Sequence, residues 1–353
     1  MPDLRSKPVI SGCPREDLIG LSLPLPPFRA KQIFKWIARG ARSFSDMTNL
    51  SLDLRRELDS RFTLYGSRIA ARLEDPDGTV KLQIALADGA RIEAVLLHDG
   101  QGRRTACLST QAGCPAGCVF CKTGTLGFLR NLDSAEIVEQ FLHIRSVYPA
   151  IANIVIMGMG EPLLNLTELR RALLVLTDQE GLGLSRRRIT VSTSGIVEGI
   201  RDLADRGPPV RLAVSLPTAE PCLREALMPI SRGNPLPALK EALVYYQRKQ
   251  DRRITVEAVL LGGLNTRQED AAALAAFAAG LDVVVNLIPW NPVEGPEFRG
   301  LPLREPARGE LERFMGLLNK KGLKVTRRFR KGRGVSGACG QLGVCGASPL
   351  QNP

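Results

Sequence analysis

A chain of 353 residues, 44% hydrophobic and 24% charged, has enough material for one large α/β domain or for two domains. Its net charge of +12 points to an acidic partner, of which nucleic acid is the commonest. No apolar run is long enough to span a bilayer and residues 1–12 hold no secretory apolar region, so no membrane partner is expected and the protein is placed in the cytoplasm.

In that compartment the eight cysteines are expected to be mostly reduced, and clustered ones to serve metal binding or catalysis. The first 75 residues read as helical. From Phe28 to Gly40, Ala30, Ile33, Phe34 and Ile37 fall at helical spacing, with Lys31, Lys35 and Arg39 on the other side. The turn sequence Asp75-Pro76-Asp77-Gly78 marks the expected boundary between a helical accessory domain, 1–75, and a second domain, 76–345. Short strands follow at Val80–Leu86 and Arg91–Leu97.

Beyond them strands and helices alternate. Strands are predicted at Thr105–Ser109, Asn153–Met157, Arg188–Thr193, Arg211–Leu216, Ile254–Leu260 and Val283–Ile288. Asp133 with Glu136, and Asn165 with Glu168, read as capping boxes that open two of the intervening helices. Six such units imply a parallel sheet closed partway into a (β/α)6 barrel, with the site at the C-terminal ends of the strands.

Directly after the first of these strands comes Cys114-Pro115-Ala116-Gly117-Cys118-Val119-Phe120-Cys121, a CxxxCxxC spacing. Three thiolates this close can hold three corners of an iron–sulfur cube and leave one iron open for a ligand. Structural zinc wants four ligands, usually as two CxxC-like pairs, and neither a second pair nor either histidine lies nearby. Gly158-Met159-Gly160-Glu161-Pro162 follows the second strand, where a glycine-rich turn suits close backbone approach to a ligand.

The cysteine spacing resembles that of the radical S-adenosylmethionine (SAM) superfamily, and further stretches resemble one branch of it, the RlmN/Cfr-type RNA methyltransferases. They are Phe28-Arg29-Ala30-Lys31-Gln32, Cys107 to Cys114, Gly127 to Leu132, Ser192-Thr193-Ser194-Gly195, Asn286 to Pro292 and Ala338-Cys339-Gly340-Gln341-Leu342. The resemblance implies a [4Fe-4S] cluster on Cys114, Cys118 and Cys121, and SAM held by Gly160, Glu161, Ser192, Ser215, Leu216, the residue at 217 and Asn291. The family commonly has histidine where this chain has Pro217, which removes a backbone and a side-chain donor.

The same resemblance implies the roles of three more residues. Cys339 would carry the methyl group that is passed to an adenine ring carbon. Cys107 would attack the sulfur at 339 and release the product through a transient disulfide. Glu93 would accept a proton. The implied substrate is ribosomal or transfer RNA, methylated at carbon 2 of adenine or at carbon 8 by the same machinery. The implied electron donor is a flavodoxin or ferredoxin, and the N-terminal domain is expected to contact RNA. A monomer is expected. Basic clusters at Arg327, Arg328, Arg330, Lys331 and Arg333, at Arg186 to Arg188, and at Arg103 and Arg104 flank these residues and suit phosphate contacts. Cys13, Cys222 and Cys345 match no motif. A methylthiotransferase would need a second cluster's cysteines, which are absent. The contrasting class is a zinc-stabilised RNA-binding module.

Overall fold

A computed structural model describes residues 7–20, 25–100, 102–293, 295, 297–328 and 330–343. Ten strands form one sheet whose spatial order follows the chain: β1 (Ser67–Glu74), β2 (Val80–Leu86), β3 (Arg91–His98), β4 (Arg104–Cys107), β5 (Asn153–Ile156), β6 (Ile189–Thr193), β7 (Arg211–Ser215), β8 (Ile254–Leu260), β9 (Val283–Pro289) and β10 (Lys324–Arg327). Pairing is antiparallel from β1 to β4 and parallel from β4 to β10. The six strands predicted for the barrel are β4 to β9. Each parallel step needs a crossover, and helices supply it: Ser134–Val147, Leu166–Thr177, Val197–Arg206, Leu236–Gln250, Gln268–Ala278 and Arg308–Lys320. Strands such as β8, Ile-Thr-Val-Glu-Ala-Val-Leu, are mainly apolar because helices cover one face and the barrel interior the other.

Two expectations are corrected. The helical stretch ends at Arg61, and Ser67–Glu74 is strand β1. The Asp75–Gly78 turn is therefore the bend of the β1–β2 hairpin and not a gap between units. β1 and β10 escaped notice for one reason. Both are sheet edges with mostly exposed or half-exposed residues, so neither shows the apolar pattern of a central strand.

The N-terminal helices dock on the barrel as patterned. Ala30, Ile33, Phe34 and Ile37 of the helix Pro27–Arg39 are buried, and Gly40 ends it in the left-handed conformation. The basic side does not simply face water. Lys31 and Lys35 reach Glu180 at 2.8 and 3.1 Å, in the loop after Leu166–Thr177. Nearby is a buried polar joint. Glu139, on the helix Ser134–Val147, accepts from Ser11 Oγ at 2.5 Å, from Gly66 N at 2.8 Å and from Ser67 Oγ. The Ser67 hydroxyl also meets His143 Nε2 at 3.0 Å.

That helix opens on the capping box read from Asp133 and Glu136. The second box is corrected. Asn165 caps nothing with its side chain, which instead donates to Thr110 O and Leu132 O at 2.8 and 2.7 Å, while Glu168 accepts from Ser134 N at 2.9 Å. Asn165 is thus used to hold the segments on either side of the cysteine loop.

Candidate functional site

The cysteine loop hangs from a small hairpin, Gln111–Gly113 with Phe128–Asn131. Gly113 permits its tight neck: it has φ +76°, and a Cβ there would lie 2.1 Å from Gly127 O. Cys114 N donates to Gly127 O at 2.8 Å and Val119 N to Leu227 O at 3.0 Å. A second apolar cluster of Phe120, Leu223, Leu227, Met228, Leu261, Trp290, Phe298 and Leu303 packs beneath, and Trp290 Nε1 donates to Phe120 O at 2.8 Å. The loop is therefore fixed by backbone bonds and a local core, independently of what its thiols bind.

Cys114, Cys118 and Cys121 line one wall of a cavity of about 1000 Å³ that is partly open to solvent. The C-terminal ends of the strands form the rest of the wall. Gly160 and Glu161 follow β5, Ser192 closes β6, Ser215 closes β7, and Asn291 follows β9. Gly160 has φ +102°, and a Cβ there would meet Gln111 Cβ at 2.6 Å. Glu161 is buried, its two oxygens accepting from Leu163 N and Ser194 N at 3.0 and 2.7 Å. Leu216 and Pro217 are corrected: neither lines the cavity. β7 ends at Ser215, the Leu216 side chain joins the main core, and the carbonyl of Pro217 is taken by Asn265 Nδ2 at 2.7 Å.

Cys339 lines the same cavity and also a second, adjoining one of about 550 Å³, in which Cys107 lies. The segment that carries Cys339 is tied down at many points. Asn291 Nδ2 donates to Cys339 O at 2.9 Å, Lys122 N to Gly340 O at 2.8 Å, and Thr123 Oγ1 to Leu342 O at 2.6 Å. From the hairpin turn, Asp77 accepts from Gly332 N at 2.8 Å and Asp75 from Gly334 N at 2.6 Å. Glu93 sits apart from both cavities. It is buried, pairs with buried Lys81 at 3.0 Å and accepts from Gly343 N at 2.8 Å. Lys81 also reaches Ser336 O at 3.4 Å. The expected proton acceptor thus meets the Cys339 segment through its backbone.

Burial pushes the Cys107 and Cys114 thiols up to about 12 and raises Cys118, Cys121 and Cys339 as well. Thiols of this kind lose their protons on binding metal. Two cavity residues were missed as site residues by the sequence reading. Glu257, a lone acid at the middle of β8, is buried and accepts from Asn286 Nδ2 at 2.8 Å; burial raises its carboxyl, with Arg328 opposing. Its signal was a charge inside an apolar strand. Arg328, read as part of a surface cluster, lines both cavities. Of the other basic residues, Arg186 to Arg188 are exposed, whereas Arg103 pairs with Asp99 at 2.7 Å and Arg104 lies over the Tyr148 ring. Arg330 is tied to Glu305 at 2.6 Å.

The donor set fits a cluster better than a single ion. Thiolates around one zinc stand roughly 4 Å apart, given metal–sulfur bonds of about 2.3 Å. Among the described residues no group of three His, Cys, Asp or Glu side chains is placed to hold a metal ion, but three thiols line one cavity, the number of protein corners that an iron–sulfur cube with one open iron needs. Ser194 Oγ and Asn291 Oδ1, both on that cavity, are buried without a hydrogen-bond partner, which leaves polar atoms ready for a bound SAM. All seven described cysteines are free, so the implied disulfide is not present in this structure; Cys345 lies outside the described residues. No helix among the described residues is long and apolar enough to cross a membrane.

Comparison with known proteins agrees with this geometry. The pattern of the Radical SAM superfamily matches residues 108–275, and that of the ribosomal RNA large subunit methyltransferase N-terminal domain matches residues 21–64. A probable dual-specificity RNA methyltransferase RlmN from Treponema denticola is 49% identical over 341 residues, 97% of each chain. One from Thermus thermophilus is 40% identical, covering 98% of this chain and 95% of its own. The crystal structure of a radical SAM methyltransferase from Sphaerobacter thermophilus matches with a TM-score of 0.88 at 37% identity, over 95% of this chain and 99% of that one.

Proposed function

Since the chain belongs to the RlmN family of radical SAM RNA methyltransferases, with the [4Fe-4S] cluster and SAM of that superfamily, we propose that it methylates carbon 2 of an adenine in ribosomal and transfer RNA, by way of a methylated Cys339. The observation that carries this reading is the placement of Cys339. It lines the cavity of the three loop thiols on one side and the cavity of Cys107 on the other. The relatives' dual-specificity name supports two kinds of RNA target.

The chemistry explains why such a site is needed. Carbon 2 of adenine has no proton acidic enough to remove and is too electron-poor to attack a methyl sulfonium. Cluster and SAM together supply a methyl group and a carbon-centred oxidant. Cys339 holds the methyl group at the boundary of the two cavities, where its one-carbon unit can bond to the ring. Cys107, as thiolate, then attacks the sulfur of Cys339. The S–S bond forms, the bond from that sulfur to the one-carbon unit breaks, its electron pair stays with the methylated base and takes up a proton, and the RNA is freed. Two electrons from the reductant return the disulfide to two thiols. Because both thiols are free in this structure, we assign the disulfide to a transient stage. Glu93 enters the proposal as the anchor of the Cys339 segment; to accept a proton it would have to leave Lys81 and Gly343. We further propose a cytoplasmic monomer reduced by a flavodoxin or ferredoxin, with the N-terminal helices and the exposed Arg186 to Arg188 on the RNA side.

The test is direct. The anaerobically reconstituted protein, given SAM, a reductant and unmodified ribosomal or transfer RNA, should yield 2-methyladenosine by mass spectrometry, and Cys339→Ala should yield none. If 8-methyladenosine forms instead, the target atom is wrong. If the Cys339→Ala protein still methylates RNA, the intermediate is wrong.

A further inference from the structure

Glu257 is the buried glutamate that the fold leaves half used. Among the described residues the buried glutamates are Glu93, Glu136, Glu139, Glu161 and Glu257. The first four have both carboxylate oxygens engaged. Glu93 holds Lys81 and Gly343 N, and Glu136 holds the Arg130 guanidinium with both oxygens. Glu139 meets Ser11, Gly66 and Ser67, and Glu161 meets Leu163 N and Ser194 N. Glu257 is only 6% exposed, yet among the described residues its one hydrogen bond, from Asn286 Nδ2, falls on Oε2. No donor among them reaches Oε1, and no salt bridge joins the acid to Arg328, although both line the cavity of the loop thiols. The acid is held from behind. Its register partners are Ser215 on β7 and Asn286 on β9, and Asn286 is paired in turn with Thr326 on β10. Thr326 Oγ1 donates to Asn286 Oδ1 at 3.1 Å, which turns the amide so that its NH2 points at Glu257. A buried acceptor left without a donor costs free energy, so an acid fixed in this wall calls for a donor brought by a ligand.

We propose that Glu257 is a specificity-determining residue: its Oε1 accepts a hydrogen bond from the exocyclic amine of the target adenine. This rests on the reading that an adenine ring enters the cavity to meet Cys339. Glu257 and Cys339 line that cavity together. Gly160 and Glu161 follow β5, toward the cysteine-loop end of the sheet, whereas Glu257 lies on β8 beside β9. The residue that follows β9 closely, Asn291, is bonded to Cys339 O at 2.9 Å. The free oxygen is therefore on the Cys339 side of the cavity. On adenine the amine and carbon 2 lie on one edge of the ring, with N1 between them. A ring held by its amine thus keeps carbon 2 beside the group that carries the methyl. Hypoxanthine has a carbonyl oxygen in place of the amine and would set an acceptor against an acceptor. Unsubstituted purine would leave Oε1 without its donor. A site built to receive an N–H rejects analogues that lack it, because its own polar group is then left unpaired.

The test uses the cluster-loaded enzyme and synthetic RNA in which the methylated adenosine is replaced by inosine or by purine riboside, both with carbon 2 unsubstituted. Each analogue competes with the adenosine RNA, for wild type and for Glu257→Gln, and the methylated nucleosides are counted by mass spectrometry. The reactivity of the ring itself cancels between the two enzymes. Wild type should prefer adenosine to either analogue. Glu257→Gln should shrink that preference by about tenfold to a hundredfold, the range for a hydrogen bond to a charged group, and most of all for inosine, to whose carbonyl the amide can donate. Equilibrium dialysis of labelled SAM onto the unreduced enzyme should give similar dissociation constants for both proteins. Iron content reports folding. If the glutamine variant loses its cluster, Glu257→Asp takes its place, since it keeps the charge and withdraws the carboxylate by one methylene. A wild type that methylates inosine RNA as readily as adenosine RNA overturns the proposal without any variant. So does a preference that Glu257→Gln leaves intact; if SAM binding weakens in that case, the acid serves SAM instead. Failure of the parent reading shows separately, as absence of methylated adenosine from the wild-type reaction, and removes both.

Discussion

Cys118→Ala leaves two loop thiols where a cube needs three protein corners. We expect that variant to lose stoichiometric iron and the brown absorbance, while Cys222→Ser keeps both, because Cys222 is exposed on the short helix Pro221–Leu227 and off the cavity wall. Circular dichroism should be unchanged in both, since Phe120, Leu227 and Trp290 hold the loop without the thiols. Iron retained by Cys118→Ala would contradict the ligand assignment. At this scale the sequence was informative wherever the chemistry is local. CxxxCxxC puts its meaning into eight consecutive residues. Glu257, Arg328 and Lys81 mean little until the sheet brings them to the cavity or to the Cys339 segment, which is why they were passed over. Leu216 and Pro217 show the converse. A match along the chain placed them with SAM, but the strand ends one residue earlier and turns them into the protein.

Among the elements, the β1–β2 hairpin does more than begin the sheet. Its turn reaches across to the Cys339 segment through Asp75 and Asp77. Asp77→Ala removes the acceptor for Gly332 N and for Thr79 N, at 2.8 Å each. The expected cost is about 1–3 kcal/mol. Amide exchange across 330–343 should quicken and RNA methylation should fall, with iron content unchanged. Unaltered exchange would show that the clasp does not hold the segment. The four residues Asp75-Pro76-Asp77-Gly78 identify the turn correctly because Pro and Gly set local torsions. They could not reveal that the turn lies inside a sheet, since that depends on β1, whose half-exposed alternation resembles a helix face. The central strands β4 to β9 were legible for the opposite reason: burial on both sides makes them apolar throughout.

For the molecule as a whole, the joint between N-terminal helices and barrel sets a pH response. Burial raises the Glu139 carboxyl to about 7 and lowers His143 to about 4, so between those limits Glu139 mainly keeps its proton and His143 is mainly neutral. The two contributions have opposite signs. A carboxyl raised from 4.5 to about 7 binds a proton in the folded state that the unfolded chain lacks, so its contribution is full below 4.5 and fades as pH rises to about 7. A histidine lowered from 6.5 to about 4 contributes above 6.5 and loses that contribution as pH falls to about 4. The wild type should therefore show a nearly flat contribution from this pair between those limits. Glu139→Gln should make stability fall on acidification through that window, and His143→Gln should make it rise, by a few kcal/mol at most. Urea titrations at several pH values read both slopes. Equal slopes in the two variants would show that the pair does not control the joint.

The ten-stranded sheet adds its strands in the order in which the chain supplies them. Nearly every pairing can thus form between a new strand and the one made just before, which suits a chain that emerges from its amino end while synthesis continues. The site does not share this property. Cys339 comes more than two hundred residues after Cys121 and closes back on the earliest hairpin. A partly made chain can therefore own its cysteine loop and most of its barrel, yet lack Cys339, the residue proposed to carry the methyl group. On the proposed role of Cys339, competence for methyl transfer waits until the barrel strands that precede it in the chain have all been made, so a partly built barrel is kept chemically silent.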